Sequence, residues 1–395
     1  DEAVKEIFAE TLIPLVTDAP LVKSLNIDLG IRMSSYDHAG TTTNGNIAVE
    51  WRPISDLLFR GAATQVFRAP SLLELFEGST LVAPQVRDPC VGLDARALAQ
   101  HRTACQSVPV DWLGPAGNQI QVQTSGAAVT GISLKPERGK SIDIGLVYSP
   151  TEIPGLSFTA DAWHVYLNDL IASVAPQTIL NSCFANGASQ LCPLISRVGS
   201  TSRTPGEIIR VDAPMVNMGS LSTRGVDFSV RYDVPNLKIA NVELGSVGVS
   251  LEGSYTAKFR NNPAPGFPGS EVADFAGTYS RQFGSISRWR ATAGINWSKG
   301  RWSAQWRGRF VNGVSNLGAD SSTGASAWMG SIFYQGASVS MAMPAMGTRI
   351  TLGVDNLTDR SPPLAYQTAA SFNNVDTSTY DMIGRYYFAR AEIAF

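Results

Sequence analysis

The chain has 395 residues, enough for one large domain or two ordinary ones. Charged residues make up 16% of it, against about 25% in an average soluble domain, and the formal net charge of −2 gives no indication of a nucleic-acid partner. The mean hydropathy is zero. Because no uninterrupted apolar run approaches the roughly 20 residues of a spanning helix, the composition excludes a helical membrane protein.

Alternation of apolar and polar residues, the signature of a strand with two unlike faces, begins near the N-terminus. Leu25, Ile27, Leu29 and Ile31 line one face of a strand, and polar residues lie between them. In the middle of the chain the alternation slips at Tyr166, which predicts a β-bulge. Strands are predicted, in order, at residues 5–16, 25–33, 46–52, from 57, from 141, 156–166, 226–232 and 247–259.

The sharpest alternation lies towards the C-terminus. Two predicted strands place tryptophans near both ends of their apolar faces, as in the interfacial aromatic belts of membrane barrels. Their apolar residues are Trp289, Ala291, Ala293, Ile295 and Trp297 on one strand, and Trp302, Ala304, Trp306 and Phe310 on the next. Further strands are predicted at residues 328–343 and 348–356, and a last one, 381–395, ends on an aromatic residue, Phe395.

About thirteen strands therefore predict an all-β fold, a transmembrane antiparallel β-barrel. Short turns alternate with long unpatterned segments, which in such barrels are periplasmic and extracellular respectively. The long loops are expected at about 68–137, 176–220, 260–286, 314–327 and 358–380. Bacterial single-chain barrels have an even strand count, so an odd count predicts that N-terminal strands precede this chain, which would begin in or near a surface loop.

Four cysteines fall in two close pairs, Cys90/Cys105 and Cys183/Cys192. Neither pair has metal-ligand spacing, and the chain has only three histidines. We expect two local disulfides that close short loops, which places the chain in an oxidising compartment or at the cell exterior. Neither a metal nor a cofactor is expected.

Four segments resemble the C-terminal part of a TonB-dependent outer-membrane receptor. Residues 67–76 read FRAPSLLELF, similar to the family's FRAPS-x-x-ELF box, and Asn217 and Gly219 with residues 224–227 resemble its N-x-G and GVD strand entry. Residues 354–360 resemble the NLFD segment, with Thr358 in place of its phenylalanine, and residues 384–385 with Phe395 match the closing strand.

This resemblance implies a 22-stranded barrel, of which this chain would supply residues 1–395 as about thirteen strands, with an N-terminal plug domain inside it. It also implies partners: the energised TonB protein, which would act through the plug, the remaining barrel and plug part, and outer-membrane lipid. The function implied is active import of a scarce large solute of the siderophore, cobalamin or oligosaccharide class.

Inward-facing charges are the candidate substrate or plug contacts. Arg288, Arg290, Arg307 and Arg309 form the densest cluster, and they could bind an anionic substrate, hold plug carboxylates or simply line a wet lumen. Asp227 and Glu252 are the acidic candidates on neighbouring strands.

The loops supply further candidates. Trp112 could stack on a ligand or pack within its loop, and Arg68 and Glu74 of the FRAPS-like box are expected to be structural at the barrel rim. The disulfide loops could shape the substrate mouth or toughen exposed loops against proteolysis.

Nothing in the sequence predicts catalysis, since none of the common hydrolase, protease or nucleotide-binding motifs is present. His164 and Asp161 would point to opposite faces of one strand and could meet only through a bulge. Two rival functions stay open. A passive porin would require these strands to close a barrel by themselves, and a barrel hydrolase or a surface docking protein would require an inward catalytic pair or a suitable surface.

Overall fold

The computed structural model describes residues 2–84, 86–114, 120–187, 191–240, 242–265, 272–280, 282–317, 327–365 and 374–393, and it is predominantly antiparallel β-sheet. Its strands are β1 (Val4–Ala19), β2 (Val22–Tyr36), β3 (Gly40–Ile54), β4 (Leu57–Arg68), β5 (Thr80–Val82), β6 (Val122–Ser125), β7 (Glu137–Tyr148), β8 (Leu156–Ser173), β9 (Ile195–Arg197), β10 (Ile208–Ile239), β11 (Val242–Asn262), β12 (Ala273–Asp274), β13 (Thr278–Ser280), β14 (Gly284–Ile286), β15 (Trp289–Lys299), β16 (Trp302–Val311), β17 (Val314–Asn316), β18 (Trp328–Met329), β19 (Ile332–Met343), β20 (Thr348–Asp355) and β21 (Tyr386–Ile393).

The helices of the described residues are short and lie in the loops. They are α1 (Leu72–Phe76), α2 (Ala95–Gln100) and α3 (Pro176–Ala185), and 3-10 turns cover Ala127–Thr130, Cys192–Leu194 and Pro344–Met346. No helix in the described ranges has the length and apolar character needed to cross a membrane.

Thirteen long strands form one continuous antiparallel ladder, which confirms the predicted fold class. The order follows the chain: β1, β2, β3, β4, β7, β8, β10, β11, β15, β16, β19, β20 and β21. Within the described residues, no ladder joins β1 to β21. The two outermost strands each have one partner, so these strands do not close a barrel by themselves, which disfavours the porin alternative.

Large apolar side chains point away from the sheet on its outward face. Ile144, Trp302 and Leu352 are 65%, 45% and 60% exposed. A soluble protein rarely leaves a contiguous apolar face this large uncovered, whereas hydrocarbon covers it in a barrel. The well-buried residues instead lie mostly in the loops, in clusters around Val122 and Ile179 and around Val314 and Met329.

Aromatic residues mark both edges of this apolar face. At the short-turn end, Trp51 stacks on Phe59 at 5.4 Å and donates to the carbonyl of Leu21. At the long-loop end, the rings of Tyr255 and Trp289 lie 4.6 Å apart. Amphipathic rings prefer the membrane interface, so the two belts bracket the hydrocarbon layer.

Several boundaries differ from the sequence-based expectation. The loop expected at 176–220 ends earlier, because β10 begins at Ile208 and pairs with the loop strands β6 and β9 before it enters the main ladder. The closing strand begins at Tyr386 rather than at residue 381, and Ala394 and Phe395 lie outside the described residues. The connection between β2 and β3 is a tight turn at residues 37–39, so short turns do not alternate strictly with long loops.

The irregularity expected at Tyr166 lies further along the strand. Tyr166 pairs in regular register with both neighbouring strands. The register between β8 and β10 shifts twice between Asn217 and Leu221, opposite Leu167–Ile171. His164 is the polar residue that interrupts the otherwise apolar outward face of this strand.

Candidate functional site

Inward residues of five neighbouring strands surround a recess of about 700 Å³ at the long-loop end of the ladder. We call it the lumen recess. The strand register pairs Asp161 with Asp227, and Asp227 with Ser254. Ser254 in turn pairs with Arg290 on the next strand. The recess is lined mainly by polar and charged groups: Asp161, Asp227, Glu252, Arg290, Arg309, Ser378 and Thr379.

Two of the predicted arginines hold loops in place around this recess. Arg290 donates to the carbonyl of Ser285 at 2.6 Å. Arg309 donates to the carbonyl of Thr379 at 3.2 Å, and its guanidinium lies 4.8 Å from the centre of the Tyr334 ring. Both charges therefore line the recess while they anchor loop backbone.

The segment 374–381 folds inwards and forms one wall of the lumen recess. The carboxylate of Asp376 accepts hydrogen bonds from the backbone amides of Ser285 and Ser378 and from the Ser378 hydroxyl. Burial alone would raise the pKa of Asp376, but the hydrogen bonds from Ser378, Ser285 and Thr379 outweigh it and hold the pKa below its usual value. The segment is thereby fastened to β14.

Apolar residues on the inward face provide the seat for this segment. Val311 pairs with Ile332 and with Arg290 and so shares the inward face, and it is 3% exposed. Tyr334 and Tyr380 pack in the same cluster. The polar-inward rule of barrel lumens is broken here because these positions face a loop core instead of water.

An ion pair joins β4 to β8 across the intervening strand β7, and its acidic residue lines the recess. Arg60 donates from Nε and Nη2 to the two carboxylate oxygens of Asp161, both at 2.8 Å. Gly145 lies between them in register, and a Cβ at that position would lie 2.0 Å from Oδ1 of Asp161. The sequence analysis did not identify this ion pair, whose signal in the sequence is a glycine, Gly145, at an inward position between the two strands.

The other predicted lumen residues have different environments. Arg288 precedes β15 and donates to the carbonyl of Ala257, so it lies in the loop layer and does not line the lumen recess. Arg307 lies in an adjacent recess of about 440 Å³, with its nearest carboxylate, that of Asp355, 3.9 Å away. Asp227 and Glu252 line the lumen recess as charged, exposed groups.

The FRAPS-like box forms a cluster of ion pairs at the barrel rim. Arg68 donates two hydrogen bonds of 2.9 Å to Glu74 and also contacts Glu137, which accepts from the amide of Ile171 as well. Ser71 and Glu74 form a reciprocal capping box at the start of α1. Burial acts to raise the pKa of Glu74, but hydrogen bonds from Arg68 and Ser71 bring it below its usual value.

Side chains of two other family-like segments also bind backbone groups at the barrel rim. The amide of Asn217 exchanges hydrogen bonds with the backbone of Lys135 and donates to the carbonyl of Asp169, where the β8–β10 register shifts. Asn356 bonds both backbone groups of Arg360. Asn217 and Asn356 therefore position backbone, and Asn356 also lines the recess that contains Arg307.

The two cysteine loops pack into one unit, which we call the cap (residues 88–114 and 176–207). Its disulfides are Cys90–Cys105 and Cys183–Cys192, as expected. Cys90, Cys105 and Cys183 lie in one buried cluster. Arg197 joins the loops with a buried ion pair to Asp88 and hydrogen bonds to the carbonyls of Ala104 and Gly206.

His101, Trp112 and His164 have different environments. His101 stacks on Phe184 at 3.9 Å and its Nδ1 lies 2.7 Å from the Phe184 carbonyl, which links the two halves of the cap. Trp112 is half-buried, and its carbonyl accepts from Gly92. His164 contacts Ser222 and lies on the opposite face from Asp161, as the strand geometry predicts. No group of three or more potential metal ligands occurs in the part of the chain that the structure describes.

Comparison with known families decides what this barrel is. The family model described as "TonB dependent receptor-like, beta-barrel" matches residues 3–357. The chain belongs to this family. It is thus an outer-membrane β-barrel of a Gram-negative bacterium, and its family is one of receptors rather than enzymes.

Solved structures share the fold of this TonB-dependent receptor barrel at low sequence identity. A mutant of the ferric enterobactin receptor PfeA from Pseudomonas aeruginosa is 14% identical with a TM-score of 0.62, over 99% of this chain and 44% of that one. The siderophore receptor PirA from Acinetobacter baumannii is 13% identical with a TM-score of 0.61, over 100% and 46%.

The FrpB iron transporter from Neisseria meningitidis is 12% identical with a TM-score of 0.54, over 99% and 45% of the two chains. The chain thus spans less than half the length of these receptors. No curated protein matches it in sequence.

Proposed function

We propose that this chain is the C-terminal portion of the barrel of a TonB-dependent transporter that imports ferric siderophores. The observation that carries the proposal is the match of the family model over residues 3–357. It is supported by the fold shared with two siderophore receptors and an iron transporter. The remaining strands and a plug domain would complete the barrel between β21 and β1, and the TonB protein would act on that plug.

The predicted lumen arginines differ in how far their guanidinium groups are already occupied by protein contacts. The proposal assigns the loop-anchoring arginines, Arg290 and Arg309, a positioning role, because each already bonds a loop carbonyl. Arg307 is the freest of the four, with 64% of its side chain exposed and only a 3.9 Å contact to Asp355. We assign Arg307 as the arginine that faces the cargo or the plug.

Growth on different nutrients tests the cargo. A deletion strain complemented with the full-length gene is grown with ferric siderophores, corrinoids or oligosaccharides as the limiting source. The proposal is supported if the gene restores growth only when ferric siderophores are the limiting source. Restoration by corrinoids or oligosaccharides alone refutes the cargo assignment but leaves an importer.

The role of Arg307 is tested with Arg307→Gln beside Arg349→Gln, an inward arginine at the short-turn end. A cargo contact predicts weaker binding of the ferric siderophore, about tenfold or more for a lost charge-assisted hydrogen bond. A plug contact predicts unchanged binding and increased passive entry of large antibiotics. If Arg307→Gln behaves like Arg349→Gln in both assays, Arg307 has neither role.

A further inference from the structure

The short helix α1 is mostly apolar but buries only one of its residues. Its sequence is LLELF, and Leu75 packs into a small loop core. Leu72, Leu73 and Phe76 are 43%, 71% and 51% exposed. Neither the lumen recess nor the proposed transport accounts for these exposed side chains.

The strand that follows α1 carries two more exposed apolar residues. In β5, Leu81 is 61% exposed and Val82 is 46% exposed. β5 pairs with β6, and no other described strand pairs with it, so its second edge has free backbone groups. The amide of Gly126, directly after β6, donates to the carbonyl of Glu77 at the end of α1 and so joins the helix to this small sheet. We call the exposed apolar residues of α1 and β5 the rim patch.

The rim patch is held in a fixed conformation although it is exposed. A helix of five residues is too short to be stable by itself. The capping box of Ser71 and Glu74, and the ion pairs of Arg68 with Glu74 and Glu137, fix α1 to the ends of β4 and β7. Exposed apolar side chains on such a rigid support are typical of a surface that another element covers.

Contacts of the turn between β2 and β3 show what lies beside the rim patch. The His38 ring packs edge-on against Phe76, with the ring centroids 5.1 Å apart. Asp37, the preceding residue, is bound to the start of β1. Its carboxylate accepts from the amide of Ala3 at 3.2 Å, and its own amide donates to the Ala3 carbonyl at 3.3 Å. The start of β1 is therefore linked to α1 through this turn.

The direction of β1 shows from which side the polypeptide enters it. Val4 pairs with Tyr36, next to the turn at residues 37–39, and Ala19 pairs with Val22 at the short-turn end. In the completed barrel proposed above, the strand before β1 is therefore joined to it by a loop on the long-loop side. The contacts of Asp37 and His38 place Ala3 within about 15 Å of Phe76, a distance that about five extended residues cover.

We propose that the rim patch is the docking site of the loop that enters β1, in the part of the protein N-terminal to this chain. An apolar segment of that loop covers Leu73 and Phe76 and forms backbone hydrogen bonds with the free edge of β5. The loop is favoured over a separate partner because its attachment to β1 keeps it at a high local concentration beside the patch. The proposal rests on the proposed completion of the barrel, since it requires a strand before β1.

Photo-crosslinking in the full-length protein tests the docking. p-Benzoylphenylalanine replaces Phe76 in one variant and Leu73 in another, and the crosslinked peptides are identified by mass spectrometry after irradiation of outer membranes. The control variant carries the same group at Leu113, a cap residue that is 90% exposed. We expect both patch positions to form adducts with the loop immediately before β1, and Leu113 to form none with that loop.

Hydrogen exchange gives an independent measurement. Leu73→Ser removes an apolar contact and leaves the ion pairs of Arg68 in place, and Leu113→Ser is the matched control. Burial of one leucine corresponds to about tenfold or more in an opening equilibrium, so exchange in the loop before β1 should be about tenfold faster in Leu73→Ser. Leu113→Ser should leave this exchange unchanged. Heat-modifiable mobility in gels verifies that each variant is folded, and the crosslinking result stands if Leu73→Ser does not fold.

Three outcomes overturn the proposal. They are adducts of the patch positions with the plug, a separate protein or lipid in place of the loop, no adduct from either position, and unchanged exchange of the loop in folded Leu73→Ser. Uptake of a ferric siderophore by the original protein is measured separately. Uptake that requires TonB, together with any of these outcomes, removes the docking role and keeps the proposed function. The expected adducts without such uptake do the reverse.

Discussion

Arg197 and Asp88 face each other inside the cap, with Nη1 2.6 Å from Oδ2 and side-chain exposures of only 5% and 6%. They come from different cysteine loops, 109 residues apart in sequence. The pair makes the two disulfide-closed loops one body. A cap of this kind presents a preformed surface at the barrel mouth, in contrast to two loops that order independently.

Arg197→Ala should loosen both cysteine loops together. The substitution leaves Asp88 buried and unpaired, which costs about 3–5 kcal/mol in comparable sites. Hydrogen exchange in the full-length protein should show faster exchange in residues 88–114 and in 176–207. Arg203→Ala, at an exposed position of the same unit, is the control and should leave exchange unchanged. Faster exchange confined to one loop would show that the cap is not a single unit.

Gly145→Ala should destabilise the barrel, because its Cβ would overlap the Asp161 carboxylate and displace it from Arg60. Overpacking of this kind costs about 1–3 kcal/mol. The measurement is the temperature at which the folded band is lost in heat-modifiability gels. Gly61→Ala, whose Cβ would have its nearest neighbour at 3.8 Å, should show no loss of stability. Equal behaviour of the two variants would remove the structural role assigned to Gly145.

Asp376 should hold the inward-folded segment in a pH-dependent way. Its pKa is lowered in the folded protein, so its contribution is complete above the usual value of 3.8 and is lost as the pH falls through the lower folded value. Hydrogen exchange of residues 374–381, corrected for intrinsic rates, should therefore be slow from pH 7 to about 5 and accelerate below about 4.

Asp376→Asn should show the loosened segment already at neutral pH, since an amide is a weaker acceptor for these donors. Asp111→Asn, an exposed carboxyl in the cap, should keep the profile of the original protein. Slow exchange of residues 374–381 in Asp376→Asn at pH 7 would contradict the anchoring role.

Arg68→Lys should weaken the ion-pair cluster at the barrel rim although it keeps the charge. A lysine cannot form the paired hydrogen bonds that the guanidinium makes with Glu74 and Glu137. Limited proteolysis should cleave near α1 several times faster than in the original protein. Arg102→Lys, an exposed cap arginine, serves as control. Unchanged cleavage in Arg68→Lys would mean that the capping box alone holds α1.

Local periodicity determined much of the fold. Alternation predicted thirteen strands and their outward faces because hydrocarbon on one side and water on the other impose a period of two along every spanning strand. The rule that inward residues are polar failed where a loop core, rather than water, covers the inward face. Val311, Ile332 and Tyr334 are apolar but inward, because they seat the segment 374–381.

The site depended on contacts between distant residues, which periodicity does not report. The Arg60–Asp161 and Arg197–Asp88 pairs join residues 101 and 109 positions apart. The two disulfides join cysteines that are close in sequence, so they could be predicted from the sequence. Arg290, Arg307 and Arg309 lie on inward positions of their strands, and only coordinates could show that Arg290 and Arg309 already bond loop carbonyls.

Uptake of radioactive iron tests the central claim most directly. Cells that produce the full-length protein are supplied with a radiolabelled ferric siderophore, with and without a functional TonB protein. The account predicts accumulation that requires TonB and stops when the proton gradient is collapsed. Accumulation at the same rate without TonB would contradict it and indicate a passive channel.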